Sequence, residues 1–534
     1  MSNAAATSWG GSAESAGVTA ARIWAPTLAR LAPPLCVVLS AGLYTLAFAP
    51  YEWSGAAWAA PGVLLAGTRR LRPRWALLAG VVYGLLLGVG VTPWVAHATL
   101  AYFNFNRLLA AAFALAVYVV YGGIPYASLT WAYALTANRL GPTARALLAG
   151  CLWASSELLR ANMFTGLPWT LLGHSQFRNL WVIQVADLGG VYAVSCVMAV
   201  VSVAVAELVV EWAGAAPPRR RLARRLGLPA ASLLAVGLYG VHAQTLPQTP
   251  GAPSSSRRVA VVQGNVANAF RWKREHVEHV LATYVALSTR LGADHPDLIV
   301  WPENAVSFYI DREPRLRQPL GQVAALAHDG LLVGAPRLGT ADTAHNSAYL
   351  VGAGGRVVAT YDKRRLVPFA EYSPFPWFRE TPVAGMVTYA PGVAADPVRS
   401  GDLRVGTVIC YEVLFPHLVR DLVRNGAELL VNLSNDSWLD RGDGVAPRQH
   451  FSMSVFRAVE TRRYLVRASA SGVSGFISPT GHIYSELASD TAGSAVAPVQ
   501  LRQGQTPYVR WGDTWVMLAT GLALGAVIVR RRLA

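Results

Sequence analysis

The sequence predicts a multi-span α-helical membrane bundle joined to an outward-facing α/β layered domain. Three observations carry that reading. Of the 534 residues, 53% are hydrophobic and only 14% charged, against about 25% charged in soluble proteins. Seven apolar stretches precede residue 245, and an eighth lies at 512–529. Between them the pattern changes to short β-branched runs alternating with helix-like segments, as expected of a layered α/β domain.

The first seven apolar stretches run over roughly 35–49, 56–68, 75–96, 107–136, 143–160, 189–213 and 227–244. Several fall short of the roughly 20 residues a span requires, the second most of all. About eight spans place both termini on one side. That side then receives 16 arginines, in Arg22 and Arg30, RRLRPR (69–74), Arg139 and Arg145, RRRLARR (219–225) and RRR (530–532). The opposite loops offer only Arg107, Arg160 and Arg178. The positive-inside bias therefore predicts cytoplasmic tails at 1–34 and 530–534, with 245–511 facing outward. Residues 1–34 lack the charged start, apolar core and cleavage site of a signal peptide.

The net charge of +16 is thus mostly a matter of topology. The outward segment holds 27 basic and 23 acidic residues, without the concentrated basic surface that nucleic-acid binding needs. RRRLARR could bind anionic lipid, but as a topology determinant it needs no further role. MFTGLPWTLLGHSQF (163–177) mixes Gly, Pro and Trp between spans, and reads either as an interfacial or re-entrant loop or as an ordinary apolar one. Trp169 and Trp181 there fit an interfacial aromatic belt.

The Pro- and Ser-rich stretch 244–258 marks a domain boundary. Beyond it, strands are expected at 259–266, 297–306, 331–338, 404–412, 427–436 and 464–472. Helices are expected at 273–291, 314–330, 417–426 and near 447–462. HNSAYLVG and GRVVATYD form a hairpin closed near Gly354 and Gly355. Hairpin and crossover signals together predict a mixed sheet.

Three residues in this segment invite chemistry. A lone cysteine on an apolar strand is by default a small buried hydrophobe. Cys410, however, has no disulfide partner in its domain, since Cys36, Cys151 and Cys196 fall in or beside spans. Its strand–Cys–turn–helix setting suits a displayed nucleophile with backbone N–H groups nearby. Lys363 is one of only two lysines among 46 basic residues. An ammonium retained in so arginine-rich a chain, unless by chance, suits a site needing a compact point charge, such as an oxyanion. Glu303 follows a buried-type strand and Pro302, where partial desolvation would raise its pKa and fit it to accept a thiol proton; the alternative is an exposed loop carboxylate. Glu371 and Glu412 stand close to the lysine and the cysteine and could orient Lys363 or shape a pocket.

WPENA around Glu303, YDKRRLVPFAEY around Lys363 and VICYE around Cys410 resemble the three signatures of the nitrilase/carbon–nitrogen hydrolase superfamily, in the order Glu, Lys, Cys. VVQGNV (261–266), NLSNDSW (432–438) and RQHFSM (448–453) extend the match. With its spans, the chain over roughly 30–530 resembles the bacterial apolipoprotein N-acyltransferase family. That resemblance implies a nitrilase-like αββα sandwich on the periplasmic side of an eight-span inner-membrane bundle. It implies Cys410 as nucleophile, Glu303 as general base and Lys363 as oxyanion stabiliser. Glu371, Tyr411 and Glu412 match supporting positions, Trp272 a substrate-contacting aromatic, and Asn346 a position near the pocket. The implied reaction moves an acyl chain from a phospholipid, through a Cys thioester, to the α-amino group of an S-diacylglyceryl apolipoprotein. It needs no cofactor or metal, and the enzyme is expected to be a monomer. WLD (438–440) and SASGVSG (469–475) depart from the family pattern, which bears on loop shape more than on the three central residues. A membrane-tethered amidase or nitrilase using the same triad is the competing enzyme, although a tether needs one span rather than eight. VPFAEYSPFPWF (367–378) is the candidate lid.

Overall fold

The computed structural model describes residues 32–101, 106–214, 219–245, 256–266, 274–339, 343–375 and 389–532. Most of the expected N-terminal tail, and Trp272, lie outside them.

Among the described residues of the N-terminal part, four helices are long and apolar enough to cross a membrane: Pro73–Val91, Arg107–Arg139, Ile183–Trp212 and Leu222–Thr245. Ala32–Leu46 and Thr514–Gly525 are shorter apolar helices, and Pro142–Asn162 is a 21-residue helix carrying Arg145, Glu157 and Arg160. The second expected span proves to be a 3-10 turn, Ser54–Trp58, and a nine-residue helix, Ala60–Thr68. At 1.5 Å per residue such a helix reaches about 14 Å, half the hydrocarbon thickness. Small residues let the helices close on one another. A Cβ on Gly84 would lie 2.2 Å from the carbonyl carbon of Gly122, where Arg107–Arg139 passes through a π turn at Val119–Gly123.

Among the described residues, twelve strands build two six-stranded sheets. The first holds β1 (Ser256–Gln263), β2 (Leu298–Val300), β3 (Gly330–Leu338), β4 (Ala344–Val351) and β5 (Val357–Asp362), with β12 (Gly493–Gln500) on its far edge. The second holds β6 (Val398–Ser400), β7 (Leu403–Ile409), β8 (Leu429–Ser434), β9 (Leu465–Ser469), β10 (Ser474–Ile477) and β11 (Ile483–Leu487), in order. Each sheet has three parallel strands, β1–β2–β3 or β7–β8–β9, flanked by antiparallel ones. The expected hairpin is β4–β5, and the expected mixed character holds in both sheets.

Strand periodicity explains the layers. Val259, Val261, Leu298, Val300 and Leu350 join Val405, Leu430 and Val466 of the second sheet in one core. The alternate residues Ala260, Val262, Ile299, Leu331 and Val351 pack with Val280, Leu281, Leu320 and Val323 of the helices Val277–Thr289 and Pro314–Ala324. The second sheet is covered by Pro416–Arg424 and Val445–Thr461. The latter is buried along nearly its whole length, because the sheet lies on one side and the membrane helices on the other.

The loop 163–177 fills that junction. Trp169, expected in an exposed aromatic belt, is instead buried. Its Nε1 donates to Gln449 Oε1 at 2.8 Å, and Gln449 Nε2 donates to the Val91 carbonyl at 2.8 Å. The loop is held by the helix Val445–Thr461 of the α/β domain, so its tryptophan has a protein partner. Trp181 is exposed.

Candidate active site

The chemistry-bearing residues gather at one end of both sheets, beyond the carboxyl ends of the parallel strands, where open α/β sheets leave their crevices. Glu303 follows β2. Its neighbour Asn304 takes a left-handed φ of 47°, which asparagine tolerates better than most residues. The backbone here runs hard against β3: a Cβ on Gly334 would stand 2.4 Å from the Pro302 carbonyl oxygen. Only glycine allows that approach, and it fixes where Glu303 emerges. Asn346 lies on β4, and Lys363 immediately follows β5, its N–H donating to the Asn346 carbonyl at 2.8 Å.

These residues form a closed polar cluster. Lys363 Nζ donates to Glu303 Oε1 at 3.0 Å and to Glu371 Oε1 at 2.9 Å. Asn346 Nδ2 donates to the same two oxygens, each at 2.7 Å. Glu371 Oε2 accepts the Val367 N–H at 2.7 Å, so the carboxylate also shapes its own loop. Lys363 is 1% exposed. Burial alone would lower its pKa, but Glu303 and then Glu371 outweigh it and hold the ammonium well above its ordinary value.

Cys410 ends β7 and opens the 3-10 turn Cys410–Leu414 with φ of 51°, a conformation rare for a residue with a side chain. The turn presents the thiol inward: Cys410 is 2% exposed, and among the described residues its sulfur makes one hydrogen bond, a long 4.0 Å contact to the Asn435 carbonyl. Neither sequence alternative, core residue or displayed nucleophile, describes it fully. It is a buried thiol on a nucleophile-type turn. Burial pushes its pKa far up, Glu303 and Asp436 add to the rise, and Lys363 opposes it. At rest the group is therefore S–H.

Glu412 and Tyr411 brace the turn. Glu412 Oε1 accepts the N–H groups of Arg364 at 2.6 Å and Arg365 at 3.1 Å, while Oε2 accepts that of Ile409 at 2.7 Å. The Tyr361 hydroxyl lies 3.0 Å from both oxygens. One carboxylate thus ties the segment after Lys363 to the turn bearing Cys410. Burial raises its pKa to about 7, less than it would without those donors. The Tyr411 hydroxyl donates to the Gly166 carbonyl at 2.8 Å, and Arg365 Nη2 donates to the Thr165 carbonyl. The loop 163–177 is therefore fastened to the site itself. Of the candidate lid, 367–375 is described, and Phe375 there is exposed.

Sequence reasoning left two members of one group without a role. Asp436, His450 and Cys410 bring a carboxylate oxygen, a ring nitrogen and the sulfur within 4.8 Å of one another, with Arg467 Nη2 2.8 Å from Asp436 Oδ2. NLSNDSW and RQHFSM contain the first two, but they come together only when helix Val445–Thr461 docks beside β8. The one signal available was a histidine at the polar start of a helix.

The arrangement brings a buried thiol within electrostatic range of a buried ammonium held between two carboxylates. It suits nucleophilic acyl transfer.

Residues 258–507 match the family model described as carbon-nitrogen hydrolase. Residues 40–204 match that of the apolipoprotein N-acyltransferase N-terminal domain. The chain is 34% identical over 508 residues to an apolipoprotein N-acyltransferase of Geobacter metallireducens, covering 93% of this chain and 95% of that one. It is 31% identical over 518 residues to an apolipoprotein N-acyltransferase of Pseudomonas putida, covering 94% and 98%. Among solved structures, an amidase from Nesterenkonia sp. is similar over 51% of this chain and 98% of that chain, at 20% identity and a TM-score of 0.37.

Proposed function

The chain belongs to the apolipoprotein N-acyltransferase family, and on that premise we propose that Cys410, Glu303 and Lys363 carry its N-acylation of lipoproteins through a thioester. The observation that bears most on this reading is the buried Lys363 ammonium held between Glu303 and Glu371, within electrostatic reach of Cys410. Because the thiol is protonated at rest, a base must act when substrate arrives. Glu303 takes the proton as sulfur attacks an ester carbonyl of a phospholipid. Lys363 faces the oxyanion, the C–O bond breaks, and the proton passes to the departing lysophospholipid. The α-amino group of an S-diacylglyceryl cysteine then attacks the thioester. Asn346 and Glu371 hold Lys363 in place, Glu412 and Tyr411 hold the turn, and Trp272 contacts substrate.

We place the catalytic domain at 245–511 on the periplasmic face of the inner membrane, with eight crossings, the second made by the turn Ser54–Trp58 and the short helix Ala60–Thr68 together, both tails cytoplasmic, and one copy of the chain as the working unit. Arg69 and Arg145 both pair with Glu207. That end of Ile183–Trp212 lies away from Asp187, which pairs with Arg462 of the catalytic domain. The arginine-rich end of the bundle is thus the one remote from the site, which supports this placement. A tethered amidase would not need the bundle's own loop fastened to Tyr411 and Arg365.

The test is direct. Purified full-length protein, incubated with phospholipid labelled in its sn-1 acyl chain, should carry label on Cys410 that hydroxylamine releases and that Cys410→Ala lacks. Unlabelled wild-type protein, or equal labelling of the variant, would refute the thioester.

A further inference from the structure

The two halves of the proposed transfer differ by one proton. In the first, the thiol's single proton ends on the leaving alkoxide, and one base suffices. In the second, the acceptor arrives as R–NH3+ and leaves as an amide N–H. It sheds two protons, of which the returning thiol takes one. Glu303 can hold only one at a time, so the amine half calls for a second acceptor near the sulfur.

His450 has the geometry for it. Its Nδ1 lies 2.7 Å from Asp436 Oδ1, and a ring nitrogen lies within 4.8 Å of Cys410 Sγ. The ring is 1% exposed and packs against Trp169, with centroids 5.2 Å apart. Nδ1 also lies 3.1 Å from Arg467 Nη2, but its shorter contact is to an acceptor-only carboxylate, which calls for Nδ1–H. Nε2 then carries the lone pair, and among the described residues it is buried with no hydrogen-bond partner. The three groups could also suggest a metal tripod, but Asp436 is already saturated. It accepts from Ser434 Oγ at 2.9 Å, Ser469 Oγ at 2.9 Å and Arg467 Nη2 at 2.8 Å besides His450. Asp436 is an anchor for the imidazole. Burial first, and the Arg467 cation next, keep the ring's pKa below its ordinary value, although Asp436 and the nearby Cys410 backbone pull the other way. At neutral pH the ring is therefore an empty base. The charged groups facing it are Asp436 and Arg467, and the titratable thiol of Cys410 completes its surroundings.

Resting on the acyl-transfer reading above, we propose that His450, oriented by Asp436, accepts the ammonium proton of the lipoprotein acceptor in the amine half-reaction. The freed amine attacks the thioester carbon; the C–N bond forms and the C–S bond breaks. The second nitrogen proton passes through Glu303 to the Cys410 sulfur, and His450 later releases its own to water.

The experiment separates the halves. Labelled acyl-enzyme is formed from phospholipid, freed of donor, and chased with a synthetic S-diacylglyceryl cysteinyl peptide at several pH values. His450→Gln should form thioester at close to the wild-type rate, yet transfer it about 100-fold more slowly at pH 7, the scale of general-base catalysis. Above the α-amino pKa of about 8 the acceptor is already neutral, so by about pH 9 most of that gap should close. A structural lesion would slow transfer equally at both pH values, and that outcome, unchanged transfer at pH 7, or loss of thioester formation would overturn the proposal. The wild type supplies a check that no folding defect can spoil: its transfer rate should stay nearly flat between about pH 6.5 and 9. A tenfold rise per pH unit below about pH 8 would mean that no group assists the ammonium. Absence of any wild-type thioester would count against the acyl-transfer reading itself.

Discussion

Lys363 shows how much a single side chain is constrained here. Its Nζ sits about equally far from two carboxylates, with almost no free surface. An arginine keeps the charge but brings a planar fork where a point charge fits, and it overfills the site. Lys363→Arg should lower acyl transfer by about 100-fold, comparable to losing one oxyanion donor, while circular dichroism shows the native secondary structure. Near-normal turnover would remove the lysine from the proposed mechanism. Residues of this kind were readable because each lies in a short contiguous motif: WPENA, YDKRR, VICYE. His450 and Asp436 were quoted in equally plain motifs but given no part, because their meaning is a relation between two elements. The thiol's burial was readable as the default for a cysteine on an apolar strand, but its combination with a nucleophile-type turn was not, since that depends on what covers the strand end.

At the scale of elements, helix Val445–Thr461 carries the connection between bundle and site. Arg457 Nη1 donates to the carbonyls of Val413 and Leu414, each at 3.2 Å, gripping the far end of the turn that begins at Cys410. Its Nη2 meets Glu460 Oε1 at 2.6 Å, and the same oxygen accepts the Val191 N–H at 3.0 Å from the membrane side. Removing one member of a buried pair strands the other charge, at a cost of about 3–5 kcal/mol. Arg457→Met should therefore lower the unfolding midpoint strongly, and adding Glu460→Leu should restore much of it. Thioester formation should stay low in both, because neither returns the donors to the turn. Recovery of labelling along with stability would show that the turn needs no such grip. The helix was legible as a helix, but not as one buried on both sides: its sequence mixes Arg, Gln, His and Glu with apolar residues, and those polar groups are satisfied across two interfaces.

For the molecule as a whole, the parallel cores of both sheets were legible because they are contiguous β-branched runs. The flanking strands β11 and β12 were not: IYSEL is half-exposed and lacks an apolar run, and GSAVAPVQ holds a proline against a paired strand. The dual burial of Val445–Thr461 also means that the catalytic domain has no finished outer surface where it meets the bundle. Residues 246–511 expressed alone should expose Phe456, which otherwise meets His174 edge-on, and should aggregate, as size-exclusion chromatography would show; a monodisperse soluble product would contradict this. The pairing of β1 with β12, Ser256 opposite Gln500, bears on timing. During synthesis β1 emerges early and finds β2 and β3 soon after, but its other edge stays open until nearly the whole domain has been made. An unpaired edge invites the wrong partner, and contacts so distant in sequence form slowly. β12 then runs almost directly into Thr514–Arg532, which packs against Pro142–Asn162 through Thr520 and Ser155. Closing the sheet and seating that helix are thus late and nearly simultaneous events, so a nascent chain stalled before β12 would have both an open sheet edge and an unfilled groove in its bundle.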